Sequence, residues 1–243
     1  MKSKRCFFGI ADKNNIEHFN RLVNSMSKFH NEEIKLFNET FVEGTKDPSF
    51  YYRATPVCAQ LLMDEGYTEV CKIDADSIVT GNLDHIWEGD YDVAVVNNSN
   101  PREMKTYPVN VWDIHPLTYV NCGFVVMKNK KFVDHWKNLC YSPHFGNYQM
   151  REQDLLNIMV FYGDYKVRLL DASDKWHGLI SKQYWAECVM KDGNIVLPKN
   201  DEWPKDEDKT IKVIHFAGGN QEKGNYKIRF TEEVSNYLDT LVR

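Results

Sequence analysis

Three features are scarce in this sequence of 243 residues: basic charge, paired cysteines and long apolar runs. Lysine and arginine number 30 against 35 aspartates and glutamates, which gives a net charge of −5 at pH 7. Nucleic-acid binding requires a basic surface, so this balance argues against nucleic acid as a main partner. No window approaches the roughly 18 apolar residues of a membrane helix. The apolar run at residues 6–11 is too short for a signal peptide, so we expect a cytoplasmic protein without a transmembrane segment.

The six cysteines are spread along the chain and form no Cys-x-x-Cys pair. They are Cys6, Cys58, Cys71, Cys122, Cys140 and Cys188. Most of them fall within apolar segments, where a thiol packs as a small hydrophobic side chain. This usage predicts reduced core residues of an intracellular protein.

The length and overall composition are those of an ordinary globular protein. A chain of 243 residues can bury one sizeable core, so we expect one domain over residues 1–243. Hydrophobic residues make up 42% and charged residues 27% of the chain, which is typical of soluble proteins. The aromatic content of 13% is high, and it favours a well-filled core over stacking on bases and sugars.

The most informative stretch is an apolar strand that ends in two aspartates. Residues 70–73 read as a short strand, and Asp74, Ala75 and Asp76 follow it. Two carboxylates at positions i and i+2 of an extended backbone point to the same face, about 7 Å apart at their Cα atoms. They repel each other unless donors or a cation neutralise them. The sequence therefore predicts a site for a divalent cation that can also hold phosphates.

The chain opens with a β-α-β pattern. Residues 6–11 read as a strand, residues 16–29 as an amphipathic helix and residues 34–37 as a second strand. Such units bind ligands beyond the carboxyl ends of their parallel strands. Asp12 lies at the end of the first strand, where it can meet a ribose or base. The alternative, a turn residue at the helix start, is equally compatible with the pattern.

A second helix is predicted with Thr55 as its N-cap and Pro56 in the first helical position. Arg53 precedes this start, where a phosphate could gather. A solvated surface arginine is the competing interpretation.

Several of the later elements contain polar residues that allow more than one interpretation. Residues 119–127 form a predicted strand that contains Asn121 and Gly123, and glycine within a strand often marks a close approach. A helix follows from residue 151, where acidic side chains in the first turn suit the helix dipole. The last predicted strand, 211–216, contains His215, which could be a metal ligand, a phosphate contact or a core residue.

The remaining periodic segments complete an alternation of strands and helices. Strands are predicted at residues 91–96 and 166–170, and helices at 130–140 and 231–242. This alternation is typical of the α/β class.

Four segments occur together in one order: residues 72–84, 119–123, 152–157 and 215–218. This set resembles the GT-A glycosyltransferases, and it is most similar to glycosyltransferase family 8 and its relatives. They include glycogenin and the bacterial lipopolysaccharide galactosyl- and glucosyltransferases. The resemblance spans roughly residues 5–224. It implies a single Rossmann-like GT-A domain with a mixed, mostly parallel sheet flanked by helices.

The resemblance also implies roles for individual residues. The ligands of Mn²⁺ or Mg²⁺ would be Asp74, Asp76 and His215. The donor would be bound by Ala11, Asp12, Arg53, Asp74, Ala75, Asn121, Gly218 and Lys223. The catalytic set would be Gln153, Glu152 and Asp154. The family usually has a Lys-Pro-Trp-like segment after its His-x-x-Gly motif, and residues 219–224 depart from it, which weakens the assignment of Lys223.

The activity implied by the resemblance is transfer of a hexose from a nucleoside-diphosphate sugar to a hydroxyl acceptor, with retention of configuration. A uridine donor and a glycan, lipid-linked or protein acceptor are the family expectation. One alternative is a nucleotide-sugar or glycan-binding module that has lost turnover. Another is a haloacid-dehalogenase phosphatase, whose Asp-x-Asp-x-Thr/Val motif lies on the first strand. Ile78 stands here at the fifth position, and the motif does not follow the first strand.

Overall fold

The computed structural model describes residues 3–38, 51–97, 114, 118–170, 185–199, 208–216 and 229–243. Within them the strands are β1 (Arg5–Ile10), β2 (Glu33–Phe37), β3 (Glu69–Ile73), β4 (Ser77–Val79), β5 (Val93–Asn97), β6 (Val120–Met127), β7 (Val167–Leu170), β8 (Val189–Lys191), β9 (Asn194–Leu197), β10 (Lys209–Thr210) and β11 (Val213–His215). The helices are α1 (Ile16–Met26), α2 (Ala54–Asp64), α3 (Lys130–Cys140), α4 (Glu152–Tyr162) and α5 (Glu232–Val242), with short 3-10 turns at Asp84–Trp87 and Phe145–Asn147.

The main sheet has six strands in the order β2-β1-β3-β6-β5-β7. β6 runs antiparallel to both of its neighbours, and the other pairs are parallel. The predicted mixed, mostly parallel sheet flanked by helices is confirmed. The reversal at β6 has a local consequence: Ile73 pairs with Phe124, so the end of β3 lies beside the middle of β6, next to Gly123. Polar residues from distant segments therefore meet at one edge of the sheet.

Helices cover both faces of this sheet. Phe7 packs on the face that carries α1, β4 and α5, whereas its neighbour Phe8 packs on the face that carries α2, α3 and α4. Successive side chains of a strand point to opposite faces, so a strand buried on both sides is apolar along its whole length. This explains why β1, β3 and β6 read as continuous apolar runs.

Two smaller sheets lie outside the main one. β4 pairs antiparallel with β11, and β8, β9 and β10 form an antiparallel sheet of three strands. The β8–β9 hairpin turns at Asp192 and Gly193, whose φ values are 50° and 75°. Asp-Gly is favoured in such two-residue turns with positive φ. The pair is thus a sequence signal for this hairpin, which was not predicted.

The second helix begins two residues earlier than predicted, at Ala54 and not at Pro56. Its N-cap residue is Arg53 and its first residue is Ala54, so the prediction of Thr55 as the N-cap is wrong. The Thr55 hydroxyl instead donates a hydrogen bond to Glu152, 2.9 Å away. A tertiary partner has therefore taken the hydroxyl that a local pattern assigned to capping.

Most of the cysteines are buried, as their apolar sequence neighbours predicted. All six are free thiols, and Cys122 is half-buried whereas the other five are buried. Burial raises the pKa of the Cys6 thiol to about 12, so this thiol stays protonated at neutral pH. The predicted placement of cysteines in the core is confirmed for those five.

Of the helices in the described residues, none is both long enough and apolar enough to cross a membrane.

Candidate active site

Asp74 and Asp76 lie in a tight turn between β3 and β4. The Ser77 amide donates to the Asp74 carbonyl at 3.1 Å, so the backbone here is bent, and the predicted extended Asp-x-Asp is wrong in this detail. His215 Nε2 lies 3.1 Å from Asp74 Oδ2 and 3.1 Å from Asp76 Oδ1. Each of the three residues offers one ligand atom, and these atoms all lie within 4.8 Å of one another. The turn therefore makes a compact donor set of two oxygens and one nitrogen, which we call the triad.

Strand pairing brings His215 to the two aspartates from near the end of the chain. β11 pairs with β4 so that His215 lies opposite Ser77. The Phe216 amide donates to the Asp76 carbonyl at 3.0 Å, which extends this pairing beyond the strand. The histidine side chain is thus held against the turn by backbone hydrogen bonds on both sides of it.

Opposite charges dominate the electrostatics of the triad. Burial alone would lower the pKa of His215, but the carboxylates of Asp76 and Asp74 raise it to about 10. Burial alone would raise the pKa of Asp74, but Lys72 and His215 hold it well below its usual value. The protonated His215 ring and the Lys72 ammonium together balance the charges of the two carboxylates. A divalent cation can replace that proton, because metal binding requires the neutral imidazole.

Gly123 leaves the space that the triad occupies. A Cβ atom at this position would lie 2.5 Å from Asp74 Oδ2, 2.6 Å from Asn121 Oδ1 and 2.9 Å from His215 Cε1. Glycine in β6 is therefore required by close approach, as its position within a strand indicated. Two carboxylate oxygens and an imidazole nitrogen form a donor set suited to Mn²⁺. The residues present fit a divalent cation.

Lys72 was not assigned a role from the sequence. It lies inside β3, its side chain is 5% exposed, and its ammonium donates to Asp74 Oδ1 and to the Cys122 carbonyl, the latter at 2.9 Å. Burial alone would lower the pKa of Lys72, but Asp74 raises it above its usual value. The available signal was a lysine within an apolar strand, directly before the acidic pair.

The start of α4 presents two buried polar side chains. Glu152 Oε1 accepts the Thr55 hydroxyl at 2.9 Å, and Gln153 Oε1 accepts the Cys122 amide at 3.1 Å. Burial raises the pKa of Glu152 to about 7. Its Oε2 atom is buried and has no hydrogen-bond partner among the described residues. A favourable helix dipole alone does not account for side chains held inside the protein in this way.

Neighbouring polar groups attach α4 to β6. Asp154 accepts the Tyr119 hydroxyl at 2.6 Å through Oδ1 and the Met150 amide at 2.8 Å through Oδ2. Asn157 accepts the Val120 amide at 2.7 Å and donates to the Val120 carbonyl at 2.9 Å. These bonds hold Glu152 and Gln153 against the start of β6.

Ala11 and Asp12 lie at the end of β1. The Ala11 amide donates to the Phe37 carbonyl at 3.0 Å, which continues the β1–β2 pairing. The Asp12 carboxylate accepts the amides of Asn14 and Asn15, each at 3.0 Å. Asp12 therefore fills the turn role at the start of α1, which was one of its two predicted roles.

Arg53 lies beside aromatic rings and is not a fully solvated side chain. Its guanidinium carbon is 4.4 Å from the centre of the Phe145 ring, and its Nε atom is buried without a hydrogen-bond partner in the described part of the chain. Ala75 is buried between the two aspartates. Gly218 and Lys223 lie outside the described residues.

No protein-family model matches the sequence, and no curated protein matches it. Solved structures do match the fold. A galactosyltransferase, LgtC, in complex with donor and acceptor sugar analogues is 15% identical over 98% of this chain and 96% of its own, with a TM-score of 0.58. A glycosyltransferase involved in glycosylation of the major capsid of PBCV-1 is 12% identical over 97% of this chain and 98% of its own, with a TM-score of 0.54.

The apo structure of a bifunctional glycosyltransferase, WbbM, is 16% identical and matches 90% of this chain with a TM-score of 0.54. The chain spans about half of that protein, 47% of its length. At such identities the similarity demonstrates the fold alone. The chain has the GT-A-like fold of these glycosyltransferases, as the resemblance implied.

Proposed function

We propose that this protein is a metal-dependent glycosyltransferase. It moves a hexose from a nucleoside-diphosphate sugar, with uridine as the expected nucleoside, to a hydroxyl of a glycan, lipid-linked or protein acceptor. The observation that carries the proposal is the triad of Asp74, Asp76 and His215. Its ligand atoms converge at the end of a central strand in a glycosyltransferase fold.

Asp74 Oδ2, Asp76 Oδ1 and His215 Nε2 would hold Mn²⁺ or Mg²⁺. When bound, a divalent cation supplies Lewis-acid stabilisation of a diphosphate leaving group. The supporting observations are the 3.1 Å spacings around His215 Nε2 and the space that Gly123 leaves beside Asp74.

The donor would lie across the ends of β1, β3 and β6. Ala11 and Asp12 would contact the nucleoside, since binding at the carboxyl ends of parallel strands is general in such folds. Asn121 is next to the triad, because its Oδ1 atom accepts the Gly123 amide at 2.6 Å. In this proposal Arg53, Ala75, Gly218 and Lys223 complete the donor contacts.

Glu152 and Gln153 would face the donor sugar. A carboxylate and an amide oxygen stabilise positive charge that develops at the anomeric carbon. Burial of both side chains supports this role, since charges act more strongly where water is excluded. Asp154 would act by holding the helix start, because both of its carboxylate oxygens are hydrogen-bonded within the protein. A front-face retaining route requires no separate protein base.

A panel of nucleoside-diphosphate hexoses, incubated with the protein and Mn²⁺, tests the proposal through slow donor hydrolysis. We expect release of the nucleoside diphosphate from one donor, and no release in the presence of a chelator. The absence of both release and binding for every donor would overturn the proposal. Tight binding without release would indicate a binding module, and free phosphate released from phosphate esters would indicate a phosphatase.

A further inference from the structure

Lys72 lies in the middle of the main sheet, on a strand that is buried along its length. A buried ammonium without a partner costs several kcal/mol, so the position requires counter-charge. Asp74 provides it through Oδ1, and the Cys122 carbonyl accepts a further hydrogen bond at 2.9 Å. Burial raises the pKa of Glu152, and the positive charge of Lys72 acts on that pKa in the opposite direction. Lys72 therefore lies within electrostatic reach of both the triad and the start of α4.

The two oxygens of the Asp74 carboxylate have different partners. Oδ1 is held by Lys72, and Oδ2 lies 3.1 Å from His215 Nε2. Because Lys72 holds Oδ1 and His215 holds Oδ2, the orientation of the carboxylate is fixed from two sides. Asp74 then offers one oxygen, not two, to an ion in the triad.

The charge of Lys72 changes the balance of the site. Asp74 and Asp76 carry two negative charges, and a divalent cation on the triad would cancel them. With the Lys72 ammonium included, the ion-loaded site keeps one net positive charge. Such charges are poorly screened away from bulk water. A cation beside the triad therefore opposes binding of a bare metal ion and favours binding of an anion to the loaded site.

We propose that Lys72 is a positioning residue that fixes Asp74 as a one-oxygen ligand and makes retention of the divalent ion depend on the donor's diphosphate. The inference rests on the proposed function. It assigns to the protein a built-in cation that weakens the metal site by itself and strengthens the metal–diphosphate site.

Two binding measurements on Lys72→Gln test the inference, since glutamine removes the charge and its amide can still donate to Asp74. Calorimetric titration with Mn²⁺ alone should show tighter binding, by at least about fivefold. Titration of the Mn²⁺-saturated protein with UDP should show weaker binding, also by at least about fivefold. Lys72→Met has neither the charge nor a donor, and it should show the same two changes as Lys72→Gln: tighter binding of Mn²⁺ alone and weaker binding of UDP.

Lys128→Gln is a matched control. Lys128 is also largely buried and ion-paired, with Glu69 at 3.2 Å, and it donates to the Trp87 carbonyl at 2.6 Å. Its removal changes the net charge equally, so both affinities should stay as in the wild type.

The opposite signs of the two effects make the test decisive, because a lysine that only maintained the fold would weaken both. Loss of both affinities in a folded Lys72→Gln variant, or no change in either, would overturn this inference but not the proposed function. A wild-type protein that binds neither Mn²⁺ nor UDP would overturn the proposed function together with it. If Lys72→Gln does not fold, Lys72→Arg remains informative: it keeps the charge, so wild-type affinity for Mn²⁺ is expected and tighter binding would contradict the inference.

Discussion

Two clusters among the described residues each combine one histidine with two carboxylates. In the triad, His215 Nε2 lies 3.1 Å from both carboxylates. In the second cluster, His30 Nδ1 lies 3.6 Å from Glu32 and 3.7 Å from Asp84. The two clusters contain similar residues, but they differ in the hydrogen bond that His30 makes through its other ring nitrogen.

The second cluster is unsuited to a metal ion because of its tautomer. His30 Nε2 accepts the Leu83 amide at 3.0 Å, so a neutral ring must carry its proton on Nδ1, the atom that faces the carboxylates. A metal ion at Nδ1 would require loss of that proton or of the bond to Leu83. Burial lowers the pKa of His30, whereas nearby carboxylates raise the pKa of His215. The comparison shows that residue types and spacing do not define a metal site without the second contact of the histidine.

The largest expected effect concerns Asp76→Asn. Loss of one carboxylate should abolish metal-dependent release of nucleoside diphosphate, with a decrease of at least about 100-fold. The melting temperature should fall only slightly, because the ion pair with His215 is lost while repulsion between the two carboxylates is removed. Donor hydrolysis and thermal unfolding measure the two quantities. Glu32→Gln, in the second cluster, is the matched control and should keep wild-type hydrolysis; a large loss of stability in Asp76→Asn would instead indicate a structural carboxylate.

Gly123→Ala should be the next largest in effect. Its added methyl group would lie 2.5 Å from Asp74 Oδ2, so the ligand must move. We expect affinity for Mn²⁺ to fall at least about tenfold, since ligand geometry determines metal affinity. Gly146→Ala is the control, because a Cβ atom there meets nothing within 4 Å. Unchanged Mn²⁺ affinity in Gly123→Ala would show that the triad geometry does not matter for binding.

His30→Leu should affect stability and leave the metal site intact. It leaves the Leu83 amide without its acceptor in a buried place, which costs about 1–3 kcal/mol. Denaturant unfolding measures the loss, and calorimetry should show wild-type affinity for Mn²⁺. His30→Gln should recover part of the stability, since its side-chain oxygen can reach the position of Nε2. A fall in Mn²⁺ affinity in His30→Leu would place His30 in a metal site and break the comparison.

The smallest expected effect is the response of stability to acid. Because the pKa of His30 is lowered in the folded protein, the unfolded chain binds a proton that the folded chain does not. Its contribution is present above the ordinary histidine pKa of about 6.5 and is lost as the pH falls through the folded value. The slope from this residue is at most about 1.4 kcal/mol per pH unit. Unfolding between pH 7 and 5 should be less pH-dependent in His30→Gln than in the wild type, and an equal slope would contradict the assignment.

Periodic segments were predicted well because their signal is local. The predicted helix at residues 130–140 coincides with α3, whose buried face includes Phe132, Val133 and Trp136. β4 is only three residues long, and a short apolar run has no period to distinguish a strand from a buried helix segment. The reversed direction of β6 has no local signal, because strand direction depends on the connections between elements.

The candidate site divides in the same way. The acidic pair and the glycine in β6 were recognisable from residue type and position. Lys72 was given no role and Thr55 was assigned to helix capping, because their contacts with Asp74 and Glu152 are determined by packing between β3, β6, α2 and α4. The choice between the turn role and the donor role of Asp12 stayed open in the sequence, and the turn contacts became visible only in three dimensions.

The sequence by itself determined the helices, the strands of the main sheet and the acidic pair that follows β3, since propensity, periodicity and charge repulsion act between near neighbours. Only the tertiary structure decided that His215 joins the turn, through the pairing of β11 with β4. It also decided that Lys72 holds one oxygen of Asp74, and that the neutral His30 ring carries its proton on Nδ1, the atom that faces its two carboxylates. The physical reason is that each arrangement depends on a partner far along the chain: β4 for His215, the Cys122 carbonyl for Lys72 and the Leu83 amide for His30.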